Sequence, residues 1–132
     1  VIKYLTLHHN DNALWQYIGR YGYDPGIRSE LGGIMSSDDS TYWIVAISGP
    51  DVAGFAALKT KRKMLCHLYV FPEFRRRGIA RELIERRIGL ARSLGLSHLK
   101  VAVRPGRVKH YEARGFTELY IRGKWHWMRL EL

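Results

Sequence analysis

A chain of 132 residues with 46% hydrophobic content is long enough for one domain, residues 1–132, with a core of its own, and its single cysteine, Cys66, excludes an internal disulfide. No apolar run reaches the length of a membrane helix, and Val1-Ile2-Lys3-Tyr4 lacks the charged-then-apolar layout of a secretory signal, so a cytoplasmic protein with no membrane partner is expected. The net charge of +10 is one-sided: residues 1–58 carry three basic and six acidic side chains, residues 59–132 nineteen and six, which suits a polyanionic ligand or an acidic macromolecular partner and equally a solvated basic surface.

Alternating apolar residues predict a strand over Val1–Leu7. Leu14, Tyr17 and Ile18 at helical spacing predict a helix over Asn12–Tyr21 with Asp11 as its cap. Tyr23-Asp24-Pro25-Gly26 reads as a turn. Ser29–Ser36 reads as a weaker helix, since Gly32 and Gly33 each cost about 1 kcal/mol relative to alanine. Thr41–Ser48 is rich in aromatic and β-branched residues and reads as a strand; Gly49-Pro50-Asp51 turns it into a second, Val52–Lys59. Met64–Phe71 is apolar on both faces apart from His67, as a central strand would be.

A helix is expected from Gly78 to Ser93, burying Ile79, Leu83, Ile84, Ile88 and Ala91, with Gly95 as its cap. His98–Arg104 is the next strand, and strand-helix-strand in this order implies a parallel pair. Val108–Arg114 is a short helix ended by Gly115. Phe116–Arg122 and Trp125–Leu132 form a hairpin around Gly123. The fold class is α+β: a mixed, mostly antiparallel sheet with one parallel pair and flanking helices.

The sequence concentrates its chemistry at Arg75-Arg76-Arg77-Gly78-Ile79-Ala80. The segment follows an apolar strand and opens the best helical pattern in the chain. A helix start leaves amide groups unpartnered and carries the positive end of the dipole, so it faces phosphate readily. Gly78 allows close backbone approach, and three arginines at the same dipole end repel it unless an anion is present.

Three stretches in this order resemble the GNAT superfamily, the Gcn5-related N-acetyltransferases. Arg75, Gly78 and Ala80 match the family's Gln/Arg-x-x-Gly-x-Gly/Ala pyrophosphate motif. Leu68-Tyr69-Val70-Phe71-Pro72-Glu73-Phe74 is similar to its strand exit before that motif. His110-Tyr111-Glu112-Ala113-Arg114-Gly115-Phe116 is similar to its later Phe-Tyr-Glu-Lys-x-Gly-Phe segment. Two positions differ: Arg104 and Arg107 stand where the family often has Asn and Ala.

The resemblance implies acetyl-CoA as cosubstrate and a parallel strand pair that splays open to admit it. It implies that the pantetheine arm pairs with the main chain near Tyr69 and Val70, with an oxyanion donor near Val70. The pyrophosphate would sit at Arg75, Arg76, Arg77, Gly78, Ile79 and Ala80, and Tyr111 would be the acid toward the leaving thiolate. His67 is a candidate base, with Glu30, Asp24, Asp38 or a water chain as alternatives. Cys66 is expected to pack rather than react. No metal site is expected.

The acceptor would be a primary amine. Asp24, Glu30, Asp38 and Asp39 suit a cationic one, whereas the mixture of aromatic and basic residues from Tyr120 to Trp127 suits a nucleic-acid or nucleotide amine. A non-catalytic module binding CoA or nucleic acid stays open beside these readings, as do monomer and homodimer. Strand alternation would send Trp125 and Trp127 inward and His126 outward.

Overall fold

The computed structural model describes all residues, 1–132. One seven-stranded sheet runs through it in the order β1-β2-β3-β4-β5-β7-β6. The strands are β1 (Lys3–His8), β2 (Thr41–Ser48), β3 (Asp51–Lys59), β4 (Met64–Val70), β5 (His98–Val103), β6 (Thr117–Arg122) and β7 (Trp125–Glu131). The helices are α1 (Asn12–Ile18), α2 (Pro25–Leu31), α3 (Ile79–Ser93) and α4 (Val108–Glu112). Every neighbouring pair is antiparallel except β4 and β5. The sequence expectation of a mixed, mostly antiparallel sheet with one parallel pair is met.

Period-two alternation sorts the central strands between two helical layers. Trp43, Val45 and Phe55 pack with Leu14 and Ile18 of α1 and Ile27 of α2. Ile44, Ala46 and Ala56 pack on Ile79 and Leu83 of α3. Further along the same face, Ile84 and Ile88 join Leu99, Val101 and Tyr111. Strand β4 therefore lies mid-sheet with helices on both sides, which accounts for its nearly continuous apolar sequence.

Three local readings are corrected. Helix α2 begins at Pro25, not Ser29: Asp24 accepts from the Ile27 amide at 3.0 Å and Pro25 is pre-set for the first helical position. Its end is set by Gly32, which adopts φ +78° and returns its amide to Arg28 and Ser29. Asp11 makes no side-chain cap for α1 and accepts instead from the His8 amide at 2.8 Å. In the last hairpin, Met128 and Leu130 are the buried pair, so His126 shares the inner face. Trp127 lies on the opposite face, stacked with Tyr120 at 5.9 Å. No helix is long and apolar enough to cross a membrane.

Candidate active site

The parallel pair opens almost as soon as it forms. Met64 opposite Lys100 is the only register pair between β4 and β5, so the C-terminal half of β4 has no neighbour on that side. The Phe71 amide donates to Ala53 of β3 at 2.9 Å. By antiparallel alternation the adjacent Val70 turns its N–H and C=O away from β3, into the gap. Arg75 Nε donates to that Val70 oxygen at 2.8 Å.

A bulge reinforces the opening. The register of β3 with β4 shifts between Phe55 and Ala57, and His67 sits there with φ +57°, a left-handed conformation that a side-chain-bearing residue adopts at a cost. His67 stacks on Trp43 at 5.8 Å and 11°, and its Nε2 accepts from the Ser36 amide at 3.2 Å. Burial, with the cations Lys59 and Arg87 assisting, pulls its pKa down to about 4. The imidazole is therefore neutral near pH 7, with one nitrogen already engaged.

Two cavities meet at this gap. One, of about 560 Å³, runs from Tyr69 and Val70 past Arg76, Gly78 and Ala80 to Tyr111. The other, of about 330 Å³, lies on the α2 side and is lined by Cys66, His67, Arg87, Arg104, Tyr111 and Trp125, among others. Tyr111 borders both. It is 3% exposed and held edge-on by Phe116, with ring centroids 5.4 Å apart.

The larger cavity has the chemistry of a polyanion site. Gly78 at φ +80° and Arg76 at φ +64° turn the main chain sharply before α3, and a Cβ at Gly78 would meet nothing within 4 Å. No amide from residue 76 to residue 81 donates to a backbone acceptor; the first bond of α3 is Glu82 to Gly78 at 3.1 Å. Consecutive free N–H groups in such a turn form an anion-binding nest. Arg76 and Arg77 are exposed beside it. Ile79 is buried and holds the turn to the core. A pyrophosphate-bearing group fits these residues.

Arg75 does something additional: Nη2 lies 2.9 Å from both oxygens of Glu30, its guanidinium lies 5.5 Å from the Tyr69 ring centroid, and it borders both cavities.

The family model for the acetyltransferase (GNAT) domain matches residues 27–130. The chain belongs to the GNAT acetyltransferase family. This GNAT domain resembles ElaA of Escherichia coli with a TM-score of 0.79 at 11% identity, over 99% of this chain and 100% of that one. It resembles a GCN5-related N-acetyltransferase of Rhodopseudomonas palustris at 25% identity and a TM-score of 0.60, over 70% of this chain and 62% of that one. The PaiA N-acetyltransferase of Thermoplasma acidophilum, solved in complex with coenzyme A, matches at a TM-score of 0.69 and 15% identity, over 100% and 99% of the two chains. No curated protein sequence matches the chain.

Several residues that line the GNAT site were given no role from sequence. Arg107, His110 and Arg114 flank Tyr111 on the cavity wall; their signal is that they lie within four residues of it, on α4 or just beyond its two ends. Arg87 is 1% exposed. It lies four residues from both Leu83 and Ala91, inside the buried stripe of α3, where a charged residue was unexpected. Its Nε donates to Leu83 at 3.1 Å and its Nη1 to Ala57 at 3.0 Å and Cys66 at 3.4 Å. Burial lowers its pKa and neighbouring Tyr111 and Cys66 oppose that shift. Cys66 itself has a pKa raised by burial, and it packs against the Trp43–Phe55 cluster.

Proposed function

We propose that this GNAT domain transfers an acetyl group from acetyl-CoA to a primary amine by direct attack, with both substrates bound at once. One observation carries the reading: Tyr111 stands where the two cavities meet. A donor site and an acceptor site that share one proton-bearing side chain are what acyl transfer without a covalent enzyme adduct requires. The coenzyme A bound to the related PaiA structure supports coenzyme A as the carrier.

Acetyl-CoA supplies an activated thioester. The free amides of residues 76–81, with Arg76 and Arg77, receive its pyrophosphate. The gap-facing main chain around Val70 lies beside Tyr69 and holds the pantetheine arm as an added strand would. The Val70 N–H offers a hydrogen bond to the carbonyl oxygen, and the Tyr111 hydroxyl gives its proton to the departing sulfur. The attacking amine must be neutral. His67, weakly basic and bonded to Ser36, orients the acceptor in this reading, and the amine proton leaves to water, from which the Tyr111 phenolate is reprotonated.

The test is thiol release from acetyl-CoA across an amine panel, with the Tyr111→Phe variant beside the parent. Phenylalanine keeps the packing on Phe116, so the fold and acetyl-CoA affinity are expected to hold while kcat drops roughly a hundredfold. Unchanged kcat would remove Tyr111 from the chemistry, and absence of acetyl-CoA binding would remove the function.

A further inference from the structure

The acceptor-side cavity is cationic. Arg75, Arg87, Arg104 and Arg107 all border it. Arg75 is neutralised by Glu30. The ion pairs of the chain otherwise involve Arg86, Arg114, His126 and Arg129, so Arg87, Arg104 and Arg107 have no carboxylate partner. Two of their polar atoms, Arg87 Nη2 and Arg104 Nε, are buried and have no partner within hydrogen-bond geometry, although the Arg87 guanidinium lies beside the Tyr111 hydroxyl. A guanidinium stays charged even in a dry site, and a buried charge without compensation is costly. Arg104 is nevertheless held at the wall: it lies 5.3 Å from the Trp125 ring centroid, and its Nη2 donates to the Ser29 carbonyl at 3.3 Å.

Of the four carboxylates suited to a cationic acceptor, only Glu30 lines this cavity; Asp39 lies outside it, and the other three are engaged. Asp24 caps α2. Asp38 accepts from Ser40 and Thr41, and these bonds hold its pKa down to about 2. Glu30 is bound by Arg75 on both oxygens. His67 is a neutral acceptor already bonded to Ser36. Unpaired positive charge, with no free negative charge on the wall, is a poor receptor for a polyamine and a good one for an anion.

We propose that the acceptor is a small amine that also carries an oxyanion, in the simplest case a carboxylate, received by Arg104 and Arg87 across this cavity. The inference rests on the acetyl-transfer reading and adds the charge of the substrate. The volume of about 330 Å³ sits at the low end of small-molecule sites. A carboxylate presents two oxygens to a planar fork of donors, and exposed Arg107 at the rim draws the anion in. The same charges disfavour an ammonium, so they promote loss of the amine's proton. That does part of the work a strong base would do, in a site whose histidine is weakly basic.

The experiment compares thiol release from acetyl-CoA with common amino acids, each against the amine left when its carboxylate is removed, and with ethanolamine phosphate against ethanolamine. The oxyanion-bearing member is expected to have the higher kcat/KM by roughly tenfold or more, and the phosphate pair shows whether the preference extends beyond carboxylates. In Arg104→Gln the preference is expected to shrink through KM, with the dissociation constant of acetyl-CoA within about twofold of the parent. The parent protein's ratio needs no variant, so a variant that fails to fold leaves the test intact. A preference for the decarboxylated or cationic members, or for a DNA oligonucleotide alone, would overturn the inference while leaving acetyl transfer standing. If no amine turns over, calorimetric titration of the CoA-loaded protein with the same carboxylates decides. Binding that weakens in Arg104→Gln supports the inference, and absence of binding overturns it.

Discussion

Glu30 of α2 and Arg75 of the loop before α3 are joined by one guanidinium nitrogen placed 2.9 Å from both carboxylate oxygens. The pair links the acceptor-side helix to the loop assigned to pyrophosphate, across 45 residues of sequence. Both side chains are substantially exposed, and exposed ion pairs contribute little. Glu30→Gln is therefore expected to lower stability by less than about 1 kcal/mol in urea denaturation, while altering the KM for the acceptor. A larger stability loss would make the pair a structural clamp.

Arg77 faces solvent beside the free amides of the α3 start, its guanidinium 5.5 Å from the Phe74 ring centroid. Arg77→Ala is expected to weaken acetyl-CoA roughly threefold to tenfold at low salt, with a smaller penalty at high salt, because exposed charge is screened. Titrations at two ionic strengths check it; a salt-independent loss would mean the side chain packs against the ligand rather than attracting it.

His67 couples stability to pH. Its folded pKa of about 4 lies below the unfolded value of 6.5, so between those values the unfolded chain binds the extra proton. Stability should accordingly fall as pH drops from 6.5 toward 4, by at most about 3 kcal/mol from this group, with no further change from it below 4. His67→Gln can still accept from Ser36 and cannot titrate, so its stability profile is expected to be flatter across that window. Parallel profiles for parent and variant would show that His67 is not the source.

Gly32 ends α2 with φ +78°, and a Cβ there would meet the Trp125 ring at 2.5 Å. Gly32→Ala combines backbone strain with a clash against a cavity wall. We expect a loss of about 1–3 kcal/mol and a change in tryptophan fluorescence. A neutral substitution would mean that Trp125 moves freely, and with it the wall that supports Arg104.

The strands and most helices were legible because their signals are local. The alternation in Thr41–Ser48 and the apolar spacing in Ile79–Ser93 are properties of a few neighbouring residues, and both elements formed with almost the expected bounds. The start of α2 was misplaced because Asp24-Pro25-Gly26 serves a turn and a helix start equally well; the bond from Ile27 to Asp24 decides between them. Of the proposed site, the loop Arg75–Ala80 was singled out by its place between an apolar strand and a helical pattern, and Tyr111 by the resemblance of its segment to the family's. Arg87 was not: its position was visible as part of the buried stripe, but its partners Ala57 and Cys66 come from two other strands.

The sequence by itself determined the α+β order of elements, the GNAT resemblance and a phosphate-seeking helix start, because each depends on residues close together in the chain. Only the tertiary structure decided that Arg75 is held by Glu30, that Asp24 and Asp38 are engaged within their own segments, and that Arg87 and Arg104 border the smaller cavity without carboxylate partners. Charge along a chain reports how many ionised groups exist. Which of them are neutralised depends on contacts between distant segments, and the proposal of an oxyanion-bearing acceptor rests on that sum.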